Sequence, residues 1–158
     1  QAKADELNYI HDEIGYNYRL TNLQAALGMA QMECLEGFIK IKDENYRHYK
    51  RDISKIKGLK MLDFKEGIRS NKWFYSLYCE DEFPLERDEL IRRLAEYKVQ
   101  SRPIWGLIHE QKPYEGSIAY CIKRAVEFRR HVVNVPCSTS LSEEDITYVI
   151  DCIKEIVK

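Results

Sequence analysis

A helix start at Thr21 is the feature that most limits how this chain can fold. Gln24 follows Thr21 at the spacing of a capping box, in which each side chain bonds the backbone N–H of the other residue. Apolar residues then recur at helical spacing as far as Gly58, a residue type that commonly ends helices. This run is too long for an average globular helix, and Gly37 within it costs about 1 kcal/mol relative to alanine. We therefore expect either a bend between residues 32 and 38 or two consecutive helices.

The rest of the chain alternates strand and helix patterns. Four short segments rich in β-branched and aromatic residues predict strands, at about residues 59–64, 73–79, 99–104 and 132–135. Amphipathic segments predict helices at about residues 87–98 and through residues 121–129. A third helix is predicted after a cap at Ser142. Its buried face comprises Ile146, Val149, Ile150, Ile153 and Ile156. This order predicts an α+β (α/β) fold class, with a small, mostly antiparallel sheet and helices on one face.

The composition argues against several classes of protein. The chain has 158 residues, of which 44% are hydrophobic and 32% charged, and its formal net charge is -1. This balance provides no broad basic field for nucleic acid, and no apolar run is long enough to cross a membrane. The five cysteines are odd in number without a C-x-x-C pair, and the four histidines are scattered, so neither a disulfide framework nor a metal site is indicated. We expect a cytoplasmic protein with reduced thiols and no metal.

The loop before the first helix carries groups suited to an anion. Asn17 and Arg19 precede the helix N-terminus by a few residues, where unpaired backbone N–H groups and the helix dipole favour negative charge. An amide and a guanidinium are both good hydrogen-bond donors to phosphate oxygens. We interpret Tyr16 and Tyr18 as packing residues that hold this loop. The alternative is a packed, tyrosine-rich loop with a solvated arginine and no ligand.

Three segments carry a resemblance to a known family. Residues 15–28 read GYNYRLTNLQAALG, residues 102–114 read RPIWGLIHEQKPY, and residues 134–142 read NVPCSTSLS. In this order they closely resemble motifs of the DegT/DnrJ/StrS family of pyridoxal-phosphate-dependent nucleotide-sugar aminotransferases. Together the motifs extend over nearly the whole chain. The resemblance implies the fold of the C-terminal subdomain of fold-type I aminotransferases.

The resemblance also implies what this chain lacks. Residues 1–158 correspond to the C-terminal small domain, with an interface loop at residues 15–21 and a long helical segment at residues 22–57. In the family the cofactor, pyridoxal 5′-phosphate, is held as a Schiff base by a lysine of the larger domain that comes earlier in the sequence. No lysine here lies in that motif, and we interpret lysines such as Lys40 and Lys42 as a solvated helix face. We therefore expect no catalytic residue in this chain, and no activity from this chain alone.

The resemblance further implies a homodimer with active sites at the subunit interface. By position, Asn17 corresponds to an asparagine that donates to the cofactor phosphate across that interface, and Arg19 to an arginine beside the cofactor or the sugar nucleotide. His109 and Tyr114 match the spacing of family residues near the substrate mouth, although a solvated loop histidine is an equal alternative. Trp105 could stack on a sugar or uracil ring, or equally plug the core.

The function implied is transfer of an amino group, from glutamate, to a keto-sugar nucleotide for surface polysaccharide or glycan biosynthesis. A dehydratase of the same family, in which the Schiff-base lysine is replaced, is an alternative because that position lies outside this chain. A free-standing α+β ligand-binding or interaction module without catalysis is a second alternative. It explains the size of the chain but not three ordered motifs. The chain starts at Gln1, and we expect a larger domain before it.

Overall fold

The predicted capping box opens a single long helix. The computed structural model of the protein describes residues 10, 13–16, 18 and 20–158. Helix α1 spans Asn22–Ile53, and its cap is reciprocal: Thr21 N donates to Gln24 Oε1 at 2.8 Å, and Gln24 N donates to Thr21 Oγ1 at 3.3 Å. The helix continues through Gly37, so the predicted division into two helices is wrong. The cost of one glycine, about 1 kcal/mol, is small beside the hydrogen bonding and packing of the whole helix.

The turn after α1 depends on Gly58. The helix ends at Ile53, five residues before this glycine, which has a φ of +76°. A Cβ at this position would lie 2.6 Å from Phe83 N. At that distance no side chain fits unless the backbone shifts. Gly58 O accepts a hydrogen bond from Glu80 N at 2.8 Å. Glycine is therefore required both for the left-handed turn and for the close approach of the following loop.

Four short strands form one antiparallel sheet. They are β1 at Leu59–Met61, β2 at Tyr75–Cys79, β3 at Arg102–Pro103 and β4 at Val132–Val135. The order across the sheet is β1-β2-β4-β3, and each neighbouring pair is antiparallel. This confirms the predicted small antiparallel sheet. Strand β3 is much shorter than predicted, in keeping with its edge position and with Pro103, which has no N–H to donate.

Three further helices follow the sequence pattern closely. Helix α2 spans Arg87–Glu96, α3 spans Arg124–His131 and α4 spans Glu143–Ile156. A second capping box begins α4: Ser142 N donates to Asp145 Oδ2 at 2.9 Å, and Asp145 N donates to Ser142 Oγ at 3.1 Å. Helix α3 begins later than predicted because Cys121 adopts a φ of +52°, which is incompatible with a right-handed helix.

The core lies between helices α1, α2 and α4 and one face of the sheet. Tyr49 of α1 packs on Tyr75 of β2, with ring centroids 5.6 Å apart. The predicted buried face of α4 is confirmed, since Ile146, Val149, Ile150, Ile153 and Ile156 are all buried in this core. Helix α3 contacts the other face of the sheet, because Phe128 and His131 pack against Tyr78, whose side chain points away from that of Tyr75.

The two halves of α1 have different surroundings. Every residue from 22 to 34 is exposed, including the large apolar side chains of Leu23, Leu27 and Met32. The buried residues of this helix begin only at Asn45. The first half of α1 therefore presents an apolar surface that the described chain does not cover. Among the described residues, no helix combines the length and apolar character needed to span a membrane.

Candidate functional site

A cleft of about 430 Å³ lies between the N-terminal segment and the loop that follows β3. Its volume falls within the range of small-molecule sites, roughly 300–1,000 Å³. Most of its lining is apolar, with a few polar groups. The lining residues are Glu13, Ile14, Gly15, Trp105, Gly106, Ile108, Gln111, Pro113 and Tyr114.

Two consecutive 3₁₀ turns shape one wall of this cleft. The turns span Ile108–Glu110 and Lys112–Tyr114, and Gln111 joins them. Gln111 N donates to Ile108 O at 3.1 Å, and Gln111 O accepts from Tyr114 N at 2.8 Å. Gln111 is only 7% exposed and its Nε2 lies 3.4 Å from Leu107 O. The turns thus place a buried amide group at the wall of the cleft.

Two of the predicted substrate residues lie in the cleft and a third does not. Trp105 and Tyr114 line it, and both are about half exposed. The interpretation of Trp105 as a core plug is therefore wrong, because its ring lies at the protein surface. His109 belongs to the same loop but is not part of the lining, and its Nε2 lies 4.0 Å from Glu110 Oε1. Gln111 was not identified from the sequence, since only its burial and its place at the cleft distinguish it.

The predicted cofactor contacts cannot be placed in this geometry. Asn17 and Arg19 lie outside the residues that the structure describes. Their neighbours Tyr16 and Tyr18 are both strongly exposed, and their rings contact each other with centroids 5.4 Å apart. These tyrosines do not pack into the core of the described chain, so their role in holding the loop stays a prediction.

A cluster of three aromatic rings adjoins the cleft. Trp105 lies with its ring centroid 5.9 Å from that of Trp73 and 5.2 Å from that of Phe74, and the last two rings are 4.6 Å apart. Trp73 is 64% exposed and Trp105 is 51% exposed. The sequence did not predict this cluster, because 31 positions separate its two tryptophans along the chain.

The lining of the cleft does not fit pyridoxal phosphate by itself. A Schiff base needs a lysine amine and a phosphate needs donors or cations. Among the residues that the structure describes, the cleft lining contains the carboxylate of Glu13 and no lysine or arginine. The interpretation of Lys42 as part of a solvated helix face is wrong. Its amine is partly buried, donates to Cys137 O and lies 5.2 Å from the centre of the Tyr75 ring. Burial lowers the pKa of Lys42.

No metal centre is found in the described part of the chain. Within it, no group of three or more histidine, cysteine, aspartate or glutamate residues is arranged to hold a metal ion. The described lining of the cleft offers groups suited to binding a ligand. Aromatic faces can stack on a ring, and a carboxylate and an amide can accept from or donate to hydroxyl groups.

Comparison with known proteins gives a consistent result. The profile of the DegT/DnrJ/EryC1/StrS aminotransferase family matches residues 1–154. The GDP-perosamine synthase of Escherichia coli O157:H7 is 32% identical over 156 residues, which cover 98% of this chain and 41% of that protein. The dTDP-4-amino-4,6-dideoxy-D-glucose transaminase of Shigella dysenteriae is 26% identical over 145 residues, covering 90% of this chain and 40% of that protein.

A solved structure shows the same fold. It is a Helicobacter pylori aminotransferase involved in the biosynthesis of pseudoaminic acid, and it superposes with a TM-score of 0.79 at 18% identity, over 98% of this chain and 42% of that one. This chain thus spans about two fifths of the length of the proteins it matches. Because the family profile covers nearly all of its residues, the chain belongs to the DegT/DnrJ/EryC1/StrS aminotransferase family, whose members depend on pyridoxal phosphate.

Proposed function

We propose that this chain forms the C-terminal part of an aminotransferase that uses pyridoxal 5′-phosphate to transfer an amino group from glutamate to a keto-sugar nucleotide. The observation that carries the proposal is the family match over residues 1–154, together with relatives named for GDP-linked and dTDP-linked sugars. The product would serve surface polysaccharide or glycan biosynthesis. The reaction would take place in the cytoplasm, where the five free thiols of the chain stay reduced.

In this proposal the cleft binds the sugar nucleotide. Trp105 and Tyr114 supply ring faces, and Gln111 supplies an amide for hydroxyl groups of the substrate. His109 lies on the same loop and contributes at the substrate mouth, outside the lining of the cleft. The chain itself then binds and orients the substrate. The cofactor supplies the electron sink for amino transfer, and the lysine that holds it belongs to a larger domain.

Subunit assembly completes the proposed site. Asn17 and Arg19 reach the cofactor phosphate or the sugar nucleotide of a neighbouring subunit, as the family motif implies. The apolar surface on the first half of α1, which includes Leu23 and Leu27, would be covered by the larger domain or by the second subunit. Small side chains at Ala25, Ala26, Gly28 and Ala30 permit close approach of another element there.

An assay of the complete gene product that contains this chain tests the proposal. The enzyme, loaded with pyridoxal phosphate, is incubated with glutamate and with 4-keto-6-deoxy sugars linked to GDP, dTDP or UDP. We expect an amino sugar nucleotide and 2-oxoglutarate in equal amounts, both measured by mass spectrometry. Loss of water from the sugar without 2-oxoglutarate would indicate the dehydratase, and no reaction with any of these sugars would favour a non-catalytic module.

Site variants connect this activity with the cleft. We expect Trp105→Ala to raise KM for the sugar nucleotide and to leave the reaction of the enzyme with glutamate unchanged. Tyr148→Ala is the matched control, since Tyr148 is also about half exposed but lies on α4 and is not part of the cleft lining. Equal effects of the two variants would contradict a role of the cleft in substrate binding.

A further inference from the structure

We propose that Trp73, Phe74 and Trp105 form an aromatic platform that stacks on the base of the nucleotide sugar. The inference rests on the proposed function for the class of ligand, a nucleoside diphosphate sugar. It adds Trp73 and Phe74 to the proposed site, and both residues lie outside the three family motifs at residues 15–28, 102–114 and 134–142. It also assigns the base, as distinct from the sugar, to a particular surface.

The geometry of the three rings suits a flat ligand. The Trp73 and Trp105 rings are tilted by 41° with centroids 5.9 Å apart, while Phe74 meets Trp105 edge to face at 81°. An edge-to-face contact of this kind is a favoured arrangement of two aromatic rings, and it fixes the orientation of Trp105 relative to Phe74. Both indoles keep half or more of their surface exposed. Large aromatic surface of this kind on a soluble protein commonly marks a binding site.

The turn before Trp73 holds it in this position. Ser70 Oγ accepts from Lys72 N at 3.0 Å, and Asn71 Oδ1 accepts from Trp73 N at 3.1 Å. Lys72 adopts a φ of +48°, uncommon for a residue with a side chain, and its Nζ pairs with Asp43 at 3.0 Å. The turn is therefore tied both locally and to α1. Because the backbone at Trp73 is held in this way, little of its freedom remains to be lost when a ligand binds.

The platform and the cleft share Trp105. The ring of Trp105 belongs to the three-ring cluster and also lines the cleft that contains Gln111 and Tyr114. The platform is the more open of the two surfaces, and the cleft contains the polar groups. A nucleotide sugar bound across Trp105 would thus place its base on the platform and its sugar in the cleft, where hydroxyl groups find hydrogen-bond partners.

Stacking also explains how one surface could serve different bases. Every nucleobase has a π face, so stacking on aromatic side chains tolerates changes of base. The relatives named above act on sugars linked to GDP and to dTDP, which carry a purine and a pyrimidine. We therefore expect the platform to strengthen binding of GDP, dTDP and UDP alike, and to contribute affinity more than choice of base.

Two substitutions of Trp73 separate stacking from apolar contact. In the complete enzyme, Trp73→Phe keeps an aromatic face and Trp73→Leu keeps only an apolar side chain. By titration calorimetry with GDP, dTDP and UDP, we expect Trp73→Leu to bind roughly tenfold more weakly and Trp73→Phe to lie nearer to wild type. Binding of the corresponding sugar 1-phosphate, which has no base, should be the same in all three proteins. Tyr148→Leu is the control for loss of a half-exposed ring elsewhere.

The proposal is overturned if Trp73→Leu binds the nucleotides as tightly as wild type, or if Trp73→Phe binds no better than Trp73→Leu. A change in oligomeric mass by light scattering, with unchanged nucleotide affinity, would overturn it in favour of a protein contact. These outcomes are distinct from failure of the proposed function. If the enzyme binds nucleotides through Trp73 but transfers no amino group, the platform proposal stands and the proposed function fails. If the enzyme is active but its nucleotide affinity does not depend on Trp73, the platform proposal fails and the proposed function stands.

Discussion

The buried thiol of Cys79 contributes to a loss of stability at alkaline pH. Cys79 of β2 is 3% exposed, and burial raises the pKa of its thiol to about 12. In an unfolded chain a cysteine titrates near pH 8.5, to within about one unit. From about pH 9 to about pH 12 the unfolded state therefore binds fewer protons than the folded state. The free energy of unfolding must fall as pH rises through this interval.

We expect Cys79→Ala to reduce this loss. Between about pH 9 and pH 12 its free energy of unfolding should fall less steeply than that of wild type, by up to about 1.4 kcal/mol per pH unit, the limit for one proton. Urea denaturation at a series of pH values measures both slopes. Other titrating groups are common to the two proteins, so their contribution cancels in the difference. Parallel slopes would show that the Cys79 thiol does not control this dependence.

A second residue-scale prediction concerns Asn17 in the complete enzyme. We expect Asn17→Ala to weaken retention of pyridoxal phosphate by roughly ten- to a hundredfold, because a hydrogen bond to a charged phosphate is lost. The fold should be unaffected, which circular dichroism can verify. Equilibrium dialysis against the cofactor measures the change. Unchanged affinity in a folded variant would reduce Asn17 to an ordinary loop residue.

At the scale of elements, the two capping boxes should differ in what they contribute to stability. Ser142 begins α4, whose apolar face is buried, so Ser142→Ala should lower the free energy of unfolding by about 1 kcal/mol. Thr21 begins the exposed half of α1, so in this 158-residue chain Thr21→Ala should fray the first turns and leave global unfolding nearly unchanged. Urea denaturation of both variants gives the comparison. Equal losses would mean that the first half of α1 unfolds together with the core.

Some helices and strands were predicted correctly from local sequence patterns, and others were not. Both helix caps and the buried face of α4 were predicted correctly, because each depends on residues a few positions apart. The ends of α3 and β3 were not predicted correctly. Cys121 adopts a left-handed conformation before α3, and Pro103 of β3 lies at the sheet edge. The unbroken α1 shows that one glycine does not divide a helix whose second half is packed against the core.

For the whole molecule, the first prediction is that this chain alone forms no specific Schiff base with pyridoxal phosphate. No lysine is found in the described lining of the cleft. The amine of Lys42, whose pKa is lowered by burial, already donates to Cys137 O. After incubation, borohydride reduction and peptide mapping, we expect only low, scattered labelling. Lys42→Arg serves as the control for the partly buried amine. Stoichiometric labelling of one lysine would contradict the prediction.

The second prediction concerns the proposed dimer of the complete enzyme. We consider a heterodimer in which one subunit carries Asn17→Ala and the other lacks the Schiff-base lysine. If Asn17 serves the neighbouring subunit, both changes fall in the same active site. The other site is then intact, so the heterodimer should recover up to about half of the wild-type activity, as expected for two sites related by a two-fold axis. Activity of the isolated heterodimer, with its composition confirmed by mass spectrometry, is the measurement. Failure to recover activity would assign the loop to the site of its own subunit.

The sequence alone predicted the starts of α1, α2 and α4, the main strands, the buried face of α4 and membership of the aminotransferase family. These features rest on short-range hydrogen bonding, on apolar periodicity and on ordered motifs, all of which are present in the linear chain. It also singled out Trp105 and Tyr114, which line the cleft, and their role in binding stays a prediction. It did not single out Gln111, whose burial depends on two turns folding against each other.

Which distant residues meet depends on the tertiary structure. The packed fold brings Trp73 beside Trp105, partly buries Lys42 and leaves the first half of α1 without a partner in the described chain. The physical reason is that burial and ring contacts depend on how the chain folds back on itself across many residues. No local propensity encodes that arrangement, because the same side chains would suit either a surface or a core until the sheet and helices are packed.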